Sequence, residues 1–300
     1  MPYSYSLHKI DNTTDFGFSA DDYSRFKFGD DLVARSFGKD LADGFIRYYL
    51  VDNLITDQIV VISSPYSFIP TATFAMKNYF VSQLNRWLVE KGGLAVQETK
   101  VHRTITYKED YGELSAEERL SLIGNDSFHI DKDFLTGKTL LFLDDIKITG
   151  SHERMILKMA KEYGLSNEMH MLYFAELVNK NIHPNVENFL NYHQIKSIFD
   201  LEQIIDSGNF CFNTRIVKYI LNTTSGSFAI FLERRSADFI NQLYDLSLGN
   251  NYHTIEAYSK NLHLMKDFIK YNNYKLIEIW LFIFKRGSGK ISMHLNLQSV

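Results

Sequence analysis

Cysteine is nearly absent from this chain, with one residue, Cys211, in 300. A single thiol excludes an intramolecular disulfide and fits a reducing, cytoplasmic compartment. It lies in the aromatic run NFCF, where the expected role is a small buried hydrophobe rather than a nucleophile. Proline is scarce too, at four residues, and no low-complexity linker divides the chain. An excess of one charge is also missing, since 32 Lys and Arg stand against 36 Asp and Glu, a formal net charge of −4. That balance removes the broad cationic field a nucleic-acid surface needs, yet it leaves room for one local phosphate pocket. The strongest apolar run, LIEIWLFIF from Leu276, is too short for an ordinary membrane helix and contains Glu278. No apolar leader opens the chain, and the scattered His residues show no zinc-ligand spacing.

What is present is material for a substantial core, with 45% hydrophobic against 23% charged residues. Residues 1–50 read as an N-terminal cap or hood, a polar start followed by the helical stretch DDLVARSFGKDLADGFIRYYL. Just before that stretch, SRFKFGD mixes charges with aromatic rings. Residues 51–180 read as the core. DQIVVI, ending at Ile62, is a strand, SSPYSFIPTAT an ordered loop, and Phe74, Val81, Leu84 and Leu88 then recur at helical spacing. Gly92-Gly93 ends that helix, and LAVQETKVHRTI leads a second strand into a charged loop from Lys100 to His129, long enough to serve as a lid. MHMLYFAELV is a later strand. The alternation of strand and helix predicts an α/β fold with a parallel sheet flanked by helices.

Residues 181–300 read as mainly helical, with Ile255, Tyr258, Leu262, Met265 and Phe268 on one face. KLIEIWLFIF and ISMHLNL flank RGSGK in the manner of a terminal β-hairpin. RGSGK lacks the spacing and hydroxyl of a phosphate-binding loop, so it reads as a turn.

The most informative segment is KTLLFLDDIKITGSHERMILKMAKEYG. Its apolar run is a buried strand, Asp144 and Asp145 stand at the carboxyl end, and Gly150 opens a turn. Met155, Ile156, Met159, Ala160 and Tyr163 then repeat on a helical face. Thr149, Gly150 and Ser151 therefore fall at a strand-to-helix crossover, where backbone N–H groups and short hydroxyls can cradle a terminal phosphate. His152 can contact phosphate, cap the helix or face solvent.

LLFLDDIKITGSH, ending at His152, resembles the phosphoribosyl pyrophosphate (PRPP) signature of type I phosphoribosyltransferases. Asp144, Asp145, Thr149 and Gly150 match it directly, and Ser151 fits its small-residue position. Ile148 and His152 replace positions often held by Thr. The resemblance implies a phosphoribosyltransferase-like parallel sheet with an N-terminal cap and a mainly helical C-terminal elaboration. It implies a donor site formed by Lys147, Ile148, Thr149, Gly150, Ser151 and His152 with Asp144 and Asp145, the two acids addressing the ribose hydroxyls and positioning a Mg²⁺-bound substrate through water. Ser63, Ser64 and Tyr66 stand where the family's pyrophosphate loop follows its strand, and Lys100, His102 and Arg103 where its catalytic loop begins. The implied partners are PRPP and a nitrogenous small-molecule acceptor, with room for a homo-oligomer.

Within the family, the Tyr23–Asp30 segment YSRFKFGD, KVHRTITYKEDYGE and LDDIKITGSHE are similar to a divergent bacterial ComF-like group, some of whose members sit in tellurium-resistance gene neighbourhoods. Two other readings stay open at this point. One is a catalytically inactive, nucleotide- or PRPP-responsive regulatory protein, with a partner surface around Asn213, Arg215 and Lys218. The other is a Mg²⁺-dependent sugar-phosphate hydrolase.

Overall fold

The structure, a computed structural model, describes residues 3–103 and 128–287. It opens with β1 (Tyr3–Ile10), α1 (Ala20–Lys27) and α2 (Asp31–Phe45), whose last turn continues as a π-helical segment, Ile46–Leu50. Next come β2 (Ile59–Ser63), α3 (Ala72–Glu90), β3 (Gln97–Lys100) and β4 (His102–Arg103). After the undescribed stretch follow β5 (Phe128–His129), α4 (Lys132–Leu135), β6 (Thr139–Lys147), α5 (Ser151–Glu162) and β7 (Met169–Leu177). Helices α6 (Val186–Asn191), α7 (Leu201–Ile205) and α8 (Thr214–Leu221) complete the first of two compact units, residues 1–223. The second, residues 224–300, holds α9 (Ser225–Glu233), α10 (Ala237–Gly249) and α11 (Glu256–Gly287).

Five strands form one parallel sheet in the order β1-β7-β6-β2-β3. Because side chains alternate across a pleated strand, its apolar runs divide into two cores. Val61, Leu141, Leu143, Leu172 and Phe174 point to the face covered by α2 and α3. Val60, Ile62, Leu140, Phe142, Met171 and Tyr173 point to the other, covered by Ile156 and Met159 of α5. Helices α2 and α3 approach closely at Gly38, where a Cβ atom would stand 2.3 Å from the Met76 carbonyl oxygen. β2 lies between β3, the strand that follows it, and β6, which enters from the far side, so the chain reverses its direction of travel across the sheet between β2 and β6.

Several expectations change. Residues 1–50 do not stand apart as a cap. β1 is the edge strand beside β7, in register from Tyr3 opposite His170 to Ile10 opposite Leu177, while Tyr23, Phe26, Phe37 and Phe45 belong to the main core. Residues 181–223 share the first unit, so the divisions expected at 50 and 180 do not coincide with the compact units. The run expected as the first arm of a hairpin lies within α11, and ISMHLNL falls outside the described residues. A short apolar run fits a strand and a buried helix equally, and here the preceding helix continues through it. Cys211 is exposed rather than buried. No helix among the described residues is long and apolar enough to cross a membrane.

Candidate active site

Ligands of open α/β sheets bind beyond the carboxyl ends of the strands where the strand order reverses, which here is the gap between β2 and β6. The two strands pair in parallel, with Ser63 opposite Leu143, so Ser64 and Asp144 emerge side by side. Ser64 Oγ donates to Asp144 Oδ1 at 3.1 Å, and the Asp145 backbone N–H donates to the same oxygen at 3.0 Å. Asp144 Oδ2 lies 2.6 Å from His152 Nδ1 on the first turn of α5. Ser63, Ser64, Asp144 and His152 form the polar edge of a cleft open to solvent. Its wall is apolar and includes Val101, Phe142, Met155, Met159 and Tyr173.

Asp145, one residue on, faces the opposite side of the sheet, as the pleat requires. Its carboxylate is buried and filled. Oδ1 accepts from Thr73 Oγ1 of α3 at 2.9 Å, and Oδ2 accepts from Tyr23 Oη of α1 at 2.5 Å and from Lys27 Nζ. Burial alone would raise the Asp145 pKa. The Lys27 charge and the hydrogen bonds from Lys27, Tyr23 and Thr73 outweigh it and hold the group well below the ordinary carboxylate range. Burial and the Asp145 charge push the Tyr23 phenol well above its usual value, which keeps it a donor.

A glycine turn joins β6 to α5. Gly150 adopts φ +66 at the N-cap of α5, a left-handed conformation in which any other residue would be strained. Thr149 Oγ1 and Ser151 Oγ lie 2.7 Å apart. Arg154 reaches back across the turn, donating from Nη1 to the Thr149 carbonyl at 2.8 Å and from Nη2 to Ser151 Oγ at 3.0 Å. Lys147 turns elsewhere, to Glu153 at 2.7 Å and Glu176 at 3.3 Å. Burial opposes its charge, but these carboxylates prevail and raise its pKa. Ile148 packs against the α2/α3 core rather than into the turn.

The two upstream segments also meet. Ser63 stands opposite Lys100 in the β2–β3 pairing, and Lys100 Nζ lies 4.1 Å from the centre of the Tyr66 ring. His102 and Arg103 form one side of a two-stranded antiparallel ribbon, paired with His129 and Phe128. The rest of the expected lid, 104–127, lies outside the described residues.

Sequence reasoning missed Tyr23, Lys27, Thr73, Arg154 and the apolar wall. A lysine between two phenylalanines, as in Phe26-Lys27-Phe28, was an available signal for a buried cation. Asn213 does not sit on a partner surface. It is 3% exposed, caps α8 through Ile216 N, and donates to the Lys27 carbonyl at 3.1 Å.

No group of three or more His, Cys, Asp or Glu side chains that could hold a metal ion occurs among the described residues. Asp144 and Ser64 place oxygen atoms at the edge of the cleft, a donor type that fits a hard cation such as Mg²⁺.

A family model described as PRTase ComF-like matches residues 1–265. No curated protein sequence matches the chain. Among solved structures, a hypoxanthine phosphoribosyltransferase from Staphylococcus aureus is 8% identical, covering 48% of this chain and 74% of that one with a TM-score of 0.31. The hypoxanthine-guanine phosphoribosyltransferase of L. donovani is 13% identical, covering 49% and 70% with a TM-score of 0.30. A hypoxanthine phosphoribosyltransferase from Trypanosoma cruzi is 16% identical, covering 50% and 77% with a TM-score of 0.31. At these identities and scores, membership of a family rests on the sequence match alone.

Proposed function

We propose that this chain, which belongs to the ComF-like phosphoribosyltransferase family, transfers the phosphoribosyl group of PRPP to a nitrogenous small-molecule acceptor and releases pyrophosphate. The observation that carries the reading is the meeting of Asp144, Ser64 and the Thr149–Ser151 turn at the reversal point of the sheet.

The 5-phosphate sits against the backbone N–H groups of Gly150 and Ser151 at the start of α5, with the Thr149 and Ser151 hydroxyls as further donors. Arg154 is the cation of this subsite. It hydrogen-bonds only a carbonyl and a hydroxyl, and no carboxylate pairs with it among the described residues. Lys147 is already neutralised. Asp144 addresses the ribose hydroxyls. Asp144 would hold a Mg²⁺ ion on the protein side, and that ion would supply charge compensation to the leaving group.

As the bond from the ribose to pyrophosphate breaks, the sugar becomes oxocarbenium-like, the acceptor nitrogen bonds to it, and the acceptor's proton passes to the departing pyrophosphate or to solvent. No protein nucleophile is needed, so orientation and electrostatics do most of the catalytic work. Lys100 stands beside Ser63 and Tyr66, on the side where pyrophosphate departs. The apolar wall of the cleft supports an acceptor with a flat, apolar face.

The test is incubation of the intact chain with PRPP, Mg²⁺ and a panel of nitrogen heterocycles, with mass detection of phosphoribosylated products. A product formed together with pyrophosphate is the expected result. Pyrophosphate release without any acceptor would move the reading to a hydrolase, and binding without release to a sensor.

A further inference from the structure

SRFKFGD has no task in the transfer chemistry, yet it supplies the only lysine or arginine among the described residues that contacts either member of the acid pair. Lys27 Nζ meets Asp145 Oδ2 with both side chains nearly enclosed, 10% and 8% exposed. It is seated from several directions. Its ammonium lies 5.7 Å from the Tyr23 ring centre, Tyr23 donates to the same carboxylate oxygen, and Asn213 holds its backbone carbonyl. Gly29 lets the next turn pass the Cys211 backbone, where a Cβ would lie 2.3 Å from the carbonyl oxygen. Asp30 then caps α2 through Leu32 N and Val33 N and accepts from Arg25 at 2.6 Å, which fixes the exit from α1.

We infer that Lys27 is a positioning residue that commits Asp145 to the foundation of the site, so that the end of β6 presents Asp144 alone to the donor. This rests on the phosphoribosyl transfer reading. Enclosed and paired with a buried lysine, Asp145 would have to abandon that lysine in order to reach a ribose hydroxyl, whereas Asp144, its side chain 19% exposed, has no lysine to leave. The link to the donor runs through the main chain. The Asp145 N–H donates to Asp144 Oδ1, so a fixed Asp145 aims the Asp144 carboxylate into the cleft together with Ser64. The N-terminal segment thereby belongs to the active site without touching substrate.

The test is a set of variants read by thermal melting and by calorimetric titration with PRPP and Mg²⁺. Lys27→Met and Asp145→Asn each leave a partner buried without its counter-charge and should lower Tm by roughly 10 °C. The double variant K27M/D145N removes both charges and should recover most of that loss. It should bind PRPP about tenfold more weakly than wild type, whereas Lys27→Arg, which keeps the charge pair, should stay within about threefold. In an Asp144→Asn background, adding K27M/D145N should weaken PRPP binding no further, because the effect acts through Asp144.

Three results overturn the inference. In the first, the double variant recovers no stability. In the second, it binds PRPP as wild type does, which leaves the pair a merely structural role. In the third, its effect adds in full to that of Asp144→Asn, which would place Asp145 on the donor itself. A wild-type chain that binds no PRPP defeats the transfer reading instead, while recovery of Tm in the double variant still decides whether the charges pair.

Discussion

At the carboxyl end of β6 the two faces of the sheet treat the same chemical group in opposite ways. On the α1/α3 face, Asp145 is enclosed and met by three side-chain donors, one of them cationic. On the α5 face, Asp144 borders a cleft and shares its oxygens with a serine, a backbone N–H and a histidine. The closed arrangement contributes order, since an enclosed carboxylate with both oxygens engaged is held in one geometry. The open one keeps interaction capacity for a ligand. Neighbouring residues of identical type thus acquire different surroundings from the strand pleat and from the partners each face supplies.

The sharpest way to break this comparison is to remove one donor from each face. Tyr23→Phe deletes a hydrogen bond to a buried carboxylate and should destabilise the chain by about 2 kcal/mol in urea denaturation, with little effect on PRPP affinity. Ser64→Ala should cost under about 1 kcal/mol in stability and weaken PRPP binding several-fold. Equal effects of the two on stability would erase the distinction.

The two cations near the Thr149–Ser151 turn allow a second, smaller contrast. Arg154→Gln should reduce PRPP affinity by roughly tenfold, the worth of a charge-assisted hydrogen bond, and flatten its dependence on salt. Lys147→Gln should change affinity by less than about threefold, because Glu153 and Glu176 already take up its charge. The reverse order, measured by the same titration, would transfer the phosphate subsite to Lys147. The smallest effect is expected at Lys100 and Tyr66, whose cation–π contact is worth about 0.5–1 kcal/mol. Tyr66→Leu should lower Tm by no more than a few degrees.

What was legible in the sequence is what is local. The apolar strand, the acid pair at its end, the glycine turn and the helix after it need only near neighbours, and all form as read. The split between Asp144 and Asp145 was also within reach, since adjacent strand residues alternate, but the partners of Asp145 were not. Tyr23 and Lys27 are separated from it by more than a hundred residues, and only the fold brings them there. β1 was hidden by composition. YSYSLHKI is a half-buried edge strand with polar residues at most alternate positions, and pairing with β7 turns it into part of the sheet. Arg154 lay inside a helix whose apolar face drew attention away from the side that folds back over the turn.

The central claim is that PRPP binds where β2 and β6 part, with Asp144 as the acid that meets it. Calorimetric titration of the intact wild-type chain and of Asp144→Asn with PRPP in the presence of Mg²⁺ tests it most directly. The account predicts saturable binding by wild type at one site per chain, and affinity lower by about a hundredfold in Asp144→Asn, with Tm little changed. Absence of saturable binding by the wild-type chain, or equal affinity in the two proteins, would contradict it.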